Sequence, residues 1–331
     1  GDRLILNEGL VVLRVESVKG GEIFTRVDQG GPLSNNKVIN RGGGGLTAPA
    51  LTEKDIADLD AAIAMGVDFL AISFPKDGAD MAYARKLADA ASAKYGVGKV
   101  RTIAKVERAE AIENEALKSI IAESDGIMVA RGDLAIEVGN AAVPAMQKRM
   151  IKWALEADKF TITATQMMES MIDRVKPNRS EITDVANAVI EGADAVMLSG
   201  ETATGQFPVL VIETMRKIIT EVEENGYKYN RSEDLKPQPH SPSFTSDAVC
   251  YNASKLSEDS NAHALVGMTQ SGYTAFMLSS FRPKSPLFIF TKEQSLVNQL
   301  SLSWGVKAFY YDKEESLDAI ITDQIQILKE R

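Results

Sequence analysis

The sequence is poor in the residues that most often carry metal, redox or nucleophilic chemistry. Its 331 residues include one cysteine, Cys250, and two histidines, His240 in KPQPHSP and His263 ahead of an apolar run. A single thiol excludes an intrachain disulfide and any Cys-x-x-Cys zinc or redox site, and it suits a reducing, cytoplasmic address. Two isolated histidines leave no basis for catalysis built on several imidazoles. Long apolar runs are missing too: nothing approaches the roughly 18 residues of a bilayer crossing, so no membrane partner is expected. Positive charge is in deficit, with 37 Lys and Arg against 46 Asp and Glu, a net charge of −9, and the acids are scattered. Phosphate neutralisation wants a basic surface, so a general nucleic-acid partner is disfavoured. What is present, 44% hydrophobic and 25% charged residues, is ordinary for a globular chain, and at roughly 150 residues per domain the length suggests about two domains.

Residues 1–45 read as a small β unit. Leu10–Val15 and Glu22–Val27 are short β-branched runs bounded by turn signals at Glu8-Gly9 and Gly20-Gly21. The closing stretch GGPLSNNKVINRGGGG is too glycine-rich for a regular element and reads as a loop or hinge. Over residues 46–226 strands alternate with helices. Buried-type strands are expected at Phe69–Ser73, Val100–Val106, Gly126–Ala130, Phe160–Ala164 and Ala195–Ser199. Helices are expected, for example, at Thr52–Met65, Ala109–Ala122, Val143–Ala157, Arg179–Ile190 and Pro208–Glu224. Repeated βα units predict a parallel sheet with helices outside it. An eight-stranded barrel needs three strands more than these five, so either the sheet is open or the chain lacks the first three.

Residues 227–243, polar and proline-bearing, read as a linker. Residues 244–331 form a second α/β unit with strands near His263–Met268, Pro286–Thr291 and Val306–Tyr310 and a final helix near Leu317–Leu328. The chain opens on Gly1 without a signal-like segment and closes on a helix with no further strand, so both ends are expected to be cuts.

The polar residues of interest follow the strands, at the end where parallel βα folds bind ligands. In AKVE, Lys105 and Glu107 lie two residues apart on a strand and share a face, as a cation and a carboxylate holding an anionic, metal-bound substrate would; a surface ion pair has the same pattern. In MVARGDLAIEV, Arg131-Gly132-Asp133 is expected to make a tight turn opening a short helix, whose free N–H groups suit a carboxylate or phosphate. Magnesium prefers one or two carboxylates plus substrate oxygens, so Glu107 with Asp133 is a candidate pair; an Asp cap beside a glycine turn is the plainer alternative. Thr165 in TATQMMESM, and Ser199, Glu201 and Thr202 in LSGETATG, stand at the next two strand ends. With no histidine to activate them, these hydroxyls are hydrogen-bonding and proton-relay groups rather than nucleophiles. Met167, Met168 and Met171 are read as packing. In GMTQSGYTAF, Thr269, Ser271, Gly272 and Thr274 offer hydroxyls and amides to a phosphate, or simply cap a helix.

Together and in order, GGPLSNNK, GLTAPALTEKD, IAKVERAEA, DGIMVARGDL, TATQMMESM and DVANAVIEGADAVMLSGETATG closely resemble the pyruvate kinase family, in its bacterial form. The resemblance runs through the whole chain and is densest between Gly30 and Pro208. It implies a partial TIM (β/α)8 barrel of about five strands, part of an inserted β-barrel lid domain, and an incomplete C-terminal α/β regulatory domain. It implies transfer of phosphate from phosphoenolpyruvate to ADP, giving pyruvate and ATP. Lys105 then meets the phosphoryl group in flight, Glu107 and Asp133 are similar to the Mg2+ (or Mn2+) ligands, and the Gly132 and Asp133 amides with Thr165 hold the substrate carboxylate. Thr165, Ser199 and Glu201 resemble the relay that protonates the enolate. Lys37 matches a nucleotide-side lysine of the lid, and the 269–274 turn matches a site for a sugar-phosphate or nucleotide effector. K+ is implied as a possible cofactor, but its ligands, like an arginine that contacts the phosphoryl group, would lie ahead of Gly1. A cytoplasmic homotetramer is implied for the full-length parent, and the polypeptide alone is expected to be inactive or nearly so.

Three positions depart from the family pattern. Val38 follows Lys37 where glycine is usual, Asn7-Glu8-Gly9 replaces Asp-Asp-Gly, and Tyr273 stands where some members carry arginine. Two other classes fit parts of the sequence: a metal-dependent lyase or aldolase working through a pyruvate enolate, and a non-catalytic binding or assembly fragment. The lid and SGETATG argue against the lyase.

Overall fold

The computed structural model describes residues 1–35, 37–45, 47–230 and 235–330. Asn36 of SNNK, Leu46 at the start of the expected barrel segment, residues 231–234 of the expected linker and Arg331 lie outside the described residues.

The first unit is an antiparallel sheet of β1 (Arg3–Leu6), β2 (Val11–Lys19), β3 (Glu22–Gln29) and β4 (Ile39–Arg41), in the order β3-β2-β1-β4. β2 and β3 close through Gly20-Gly21, with Lys19 opposite Glu22 and Gly20 at φ 61°, a two-residue hairpin that requires a residue tolerant of positive φ. The stretch expected to be only loop or hinge contains β4. Its three residues are drawn into strand geometry by the free edge of β1, where Leu4, Ile5 and Leu6 pair with Arg41, Asn40 and Ile39. Composition could not report that edge, because β1 lies 33 residues away at its nearest pairing.

The second unit is a parallel sheet of β5 (Phe69–Ile72), β6 (Arg101–Val106), β7 (Gly126–Ala130), β8 (Phe160–Ala164) and β9 (Ala195–Val196), arranged in chain order. Helix α1 (Glu53–Ala64) precedes it, and α2 (Gly78–Tyr95), α3 (Asn114–Glu123), α4 (Arg131–Val138), α5 (Val143–Glu156), α6 (Arg179–Glu191), α7 (Gly200–Ala203) and α8 (Pro208–Asn225) follow successive strands. Sequential parallel order with helical crossovers is the wiring of a βα barrel wall, and among the described residues β5 and β9 are its edges. Every residue of β7 and β8 is buried, as a strand covered on both faces requires. One face carries Val106, Ile127 and Val129 against Leu117, Ile120, Met150 and Ile151 of α3 and α5. Local chemistry starts and stops the helices: Thr52 and Asp55 form a capping box on α1, Asn178 and Glu181 one on α6, and Gly96 closes α2 in the left-handed region.

As expected, Arg131-Gly132-Asp133 opens a short helix: it is the first turn of α4, which begins directly after β7. Two other sequence expectations need correction. The run Ala109–Ala122 is broken into a 3-10 turn at Glu110–Ile112 and the helix α3, because Glu113 between them is extended. β9 stops at Val196, so Ser199 stands outside the strand as the residue before α7.

The third unit is a parallel sheet of β10 (Leu265–Met268), β11 (Leu287–Thr291) and β12 (Val306–Tyr310), with α9 (Phe244–Asp259), α10 (Tyr273–Ser280), α11 (Gln294–Gln299) and α12 (Leu317–Lys329). It docks on the amino ends of the five-stranded sheet. Asp194, just before β9, pairs with the buried Arg282 at 3.0 Å and accepts from the Trp304 amide at 3.2 Å. Arg101, which opens β6, donates to Gln299 at 2.8 Å and to the Ser271 carbonyl at 3.1 Å. The opposite, carboxyl ends are thereby left to the lid and the candidate site.

Candidate active site

Lys105 is the penultimate residue of β6 and Glu107 follows the strand's end, so alternation puts both on one face. Lys105 Nζ lies 2.7 Å from Glu107 Oε1 and donates to Ser73 Oγ at 2.8 Å. The other carboxylate oxygen of Glu107 accepts from the Phe74 amide at 2.9 Å, which the loop after β5 presents by taking Phe74 to φ 55°. Glu107 is 1% exposed. Burial pushes its carboxyl above the usual range; the Lys105 ammonium and the Phe74 amide pull it back, and nearby Asp133 adds to the rise.

Asp133 lies in the first turn of α4. Asn40 Nδ2 of lid strand β4 donates to Asp133 Oδ1 at 3.2 Å, tying the lid unit to the parallel sheet at this carboxylate. Asn40 is 2% exposed, and its Oδ1 is buried without a hydrogen bond among the described residues. Sequence reasoning passed over Asn40, since NNKVIN gives no local sign that its last residue reaches the site.

Gly132 and Thr165 are brought together, but by bonding each other: the Gly132 amide donates to Thr165 Oγ1 at 2.9 Å, and that hydroxyl donates to the Ala164 carbonyl at 2.7 Å. Thr165 and Gln166 follow β8 at φ 68° and 53°, unusual for non-glycine residues and outlying for a β-branched one. Arg131 holds this backbone. Its guanidinium donates to the carbonyls of Ala164 (3.2 Å) and Thr165 (2.6 Å) and pairs with both oxygens of Asp184 at 2.7 and 2.6 Å. The adjoining Met167, Met168 and Met171 are fully buried among Val185, Val211 and Met215, as packing residues.

Glu201 is fully buried and spans two strand ends, accepting from the Met168 amide at 3.1 Å and from the Ser199 amide at 2.8 Å. It therefore ties the loop that begins with Thr165 to the segment holding Ser199. Lys37 is exposed between β3 and β4, its ammonium without an ion pair or hydrogen bond among the described residues. The 269–274 turn lies in the third unit, away from this site. There the Gly272 amide donates to Thr269 Oγ1 at 3.0 Å and the Tyr273 amide to Ser271 Oγ at 3.4 Å, so the turn satisfies two of its own amides. Gly272 sits at φ 88°, and a Cβ there would come within 2.8 Å of Leu296 and Phe276. Thr274 lies in the first turn of α10, and the Tyr273 hydroxyl bonds the Asp247 carboxylate.

Among the described residues no three His, Cys, Asp or Glu side chains gather as a metal cage. Two hard carboxylates, Glu107 and Asp133, are what a magnesium-class ion takes from protein when substrate oxygens and water fill its other positions. The donor set fits that ion and does not fit a zinc or calcium cage.

A lid sheet, a parallel βα sheet wired like a barrel wall with a cation and two carboxylates at its carboxyl ends, and a smaller α/β unit on its amino ends define a lidded α/β protein of the barrel class. Residues 1–212 match the family "Pyruvate kinase, barrel domain" and residues 247–331 match "Pyruvate kinase, alpha/beta domain". The chain is 42% identical to a pyruvate kinase of Mycobacterium tuberculosis (strain CDC 1551 / Oshkosh) over 321 residues, 97% of this chain and 65% of that protein. It is 41% identical to one of Haemophilus influenzae over 336 aligned positions, 100% of this chain and 68% of the relative. A crystal structure of a pyruvate kinase from Cryptosporidium parvum superposes with a TM-score of 0.90 at 31% identity, covering 100% of this chain and 67% of that one. The chain belongs to the pyruvate kinase family. It spans 65% of the length of the mycobacterial relative.

Proposed function

We propose that this protein transfers the phosphoryl group of phosphoenolpyruvate to ADP, giving pyruvate and ATP, the last step of glycolysis. The observation that carries the proposal is the Lys105–Glu107 pair at 2.7 Å beside Asp133, at the carboxyl end of the parallel sheet in a chain of this family. The bond from phosphorus to the enol oxygen breaks, a bond to a terminal oxygen of ADP forms, and the enolate left behind takes a proton at C3. Lys105 offsets charge on the phosphoryl group as it moves between oxygens. Glu107 and Asp133 would hold Mg2+ (or Mn2+), which when bound supplies positive charge to the phosphoryl and enolate oxygens.

Thr165, at the end of β8, is assigned to the substrate carboxylate and, with Ser199 and Glu201, to the proton relay. The clasp that Glu201 makes between the Met168 and Ser199 amides supports treating these residues as one group. The Gly132 and Asp133 amides are assigned to the carboxylate; the first is held by Thr165 Oγ1, so the substrate takes this position by displacing that hydroxyl. Lys37 is assigned to the nucleotide, the 269–274 turn to an effector, and the assembly to a homotetramer, with K+ a family expectation that no motif of this chain carries. The units divide at 1–45, 46–226 and 244–331.

The test is ATP formation from phosphoenolpyruvate and ADP with Mg2+, measured by coupled assay on the full product of the gene encoding these residues. Turnover that falls at least a thousandfold in Lys105→Met, with phosphoenolpyruvate affinity changed little, is the expected result. No ATP formation, or a change confined to the Michaelis constant, would overturn the assignment.

A further inference from the structure

Ser73 and Phe74 follow β5 directly, and between them they touch both members of the Lys105–Glu107 pair. Parallel pairing sets Ile72 opposite Ala104, which brings Ser73 level with Lys105 on the next strand. Ser73 Oγ accepts from Lys105 Nζ at 2.8 Å, and the Phe74 amide donates to Glu107 Oε2 at 2.9 Å. The Phe74 carbonyl accepts from the buried Arg108 at 3.4 Å, so the loop also holds the residue after Glu107. Phe74 reaches these partners at φ 55°, an outlier for a bulky side chain. Such a conformation persists where the surroundings over-determine it, and it is concentrated at functional sites.

The far end of this short loop is pinned as well. Asp77 caps α2, accepting from the Ala79 amide at 2.9 Å and the Asp80 amide at 3.3 Å, while the Asp80 carboxylate accepts from the Lys76 amide at 2.8 Å. The Gly78 amide donates to Ser119 Oγ of α3 at 2.9 Å. A Cβ on Gly78 would come within 2.6 Å of the Ser119 carbonyl oxygen, so the start of α2 lies against α3 with no slack. Residues 73–77 are therefore held at both ends, and Ser73 Oγ is a fixed acceptor.

An ammonium has three N–H donors. Two of those on Lys105 are engaged, by Glu107 Oε1 at 2.7 Å and Ser73 Oγ at 2.8 Å, and among the described residues the third has no partner. On a flexible four-carbon stem, one acceptor would leave the charged head free to swing about that single contact, whereas two fix it. We propose that Ser73 is a positioning residue for phosphoryl transfer: its hydroxyl, held by the pinned loop after β5, aims the Lys105 ammonium so that the remaining N–H meets a phosphoryl oxygen. The inference rests on the phosphoryl-transfer reading of this site. Misplacing a reacting group by about 1 Å costs on the order of 100-fold in rate, so a partial loss of aim is expected to appear in turnover rather than in substrate affinity.

Steady-state kinetics with phosphoenolpyruvate, ADP and Mg2+ on the full product of the gene encoding these residues test it. Ser73→Ala is expected to lower kcat about tenfold, with the KM for phosphoenolpyruvate and the Mn2+ affinity kept within about twofold. Ser73→Thr, which retains the hydroxyl, should recover kcat to within about threefold of the parent. A residue that works through Lys105 has nothing to aim once the lysine is gone, so adding Ser73→Ala to Lys105→Met should lower the residual turnover by less than about twofold. If Ser73→Ala does not fold, Ser73→Cys, similar in size and a weaker acceptor, is expected to show the same loss. An unchanged kcat, a loss confined to KM, no recovery in Ser73→Thr, or a full additional loss in the double variant would overturn the role of Ser73 and leave the phosphoryl-transfer reading standing. No ATP formation by the parent would overturn both.

Discussion

Lys105 Nζ sits 2.7 Å from the Oε1 of Glu107, and the two side chains differ sharply in exposure, 27% for the lysine against 2% for the glutamate. The pair is therefore a solvent-reachable cation resting on a buried carboxylate. A phosphoryl group can approach the first without uncovering the second.

Removing the lysine should leave that carboxylate uncompensated. Lys105→Met is expected to cost on the order of 2 kcal/mol at pH 7, below the 3–5 typical of a fully buried pair because the lysine is partly in water. Burial already raises the Glu107 pKa, and losing Lys105 removes the main opposing influence. A carboxyl raised in the folded state is protonated at no penalty below its unfolded pKa, and the penalty grows as pH rises through the folded value. The melting deficit of Lys105→Met should thus shrink toward pH 4 and vanish in Lys105→Met/Glu107→Gln. A deficit independent of pH would contradict the pairing.

Asn40 should matter to metal binding more than to folding. Its amide holds Asp133 Oδ1 at 3.2 Å from the lid, and partners that orient a ligand typically change metal affinity by 10–100-fold. Asn40→Ala is expected to weaken Mn2+ binding about tenfold, read by the free-ion signal in electron paramagnetic resonance with phosphoenolpyruvate present. Unchanged Mn2+ affinity would remove Asn40 from the site.

The contrast between Lys105 and Asn40 shows what could be read from sequence. Lys105 and Glu107 were legible because strand alternation is a local rule, and Phe69, Ile103, Ile127 and Ile162 marked their strands by apolar, often β-branched character alone. Asn40 was not, because β4 exists only through the distant edge of β1, and four glycines follow β4 directly. The left-handed Thr165 was equally hidden: a threonine after a strand gives no hint of φ 68°, which is imposed by Arg131, 34 positions away. The occupied Gly132 amide follows from that same imposed turn.

Backbone strain after β8 gives a stability prediction. Gln166 is exposed and sits at φ 53°, where an L side chain costs roughly 1–2 kcal/mol that glycine avoids. Glycine also gains entropy in the unfolded chain, so Gln166→Gly should stabilise by only about 0.5–1 kcal/mol. Thr165→Gly should gain nothing, because it also deletes the hydroxyl that accepts from the Gly132 amide. Urea unfolding of both variants checks the difference; a destabilised Gln166→Gly would show that its side chain has a role beyond the turn.

Asp158 supplies a pH test at the boundary between the parallel sheet and the third unit. Burial raises its carboxyl from 3.8 to about 6; a hydrogen bond from Ser280 opposes the rise, Asp247 adds to it, and Lys159 lowers it slightly. The sign is that of a raised acid: the folded state carries no penalty below about pH 4, acquires it as pH climbs through about 6, and keeps it above. Two pKa units correspond to about 3 kcal/mol as an upper figure. Asp158→Asn keeps the shape and suits the residue's φ of 54°, while removing the charge. The variant should match the parent's melting temperature near pH 4, then exceed it by several degrees at pH 7, with the gap opening between pH 4 and 6 and level above about 7. Parallel melting curves across that range, or a gap that opens only above pH 8, would mean that Asp158 is ionised without penalty and that the interface is wetter than its burial implies.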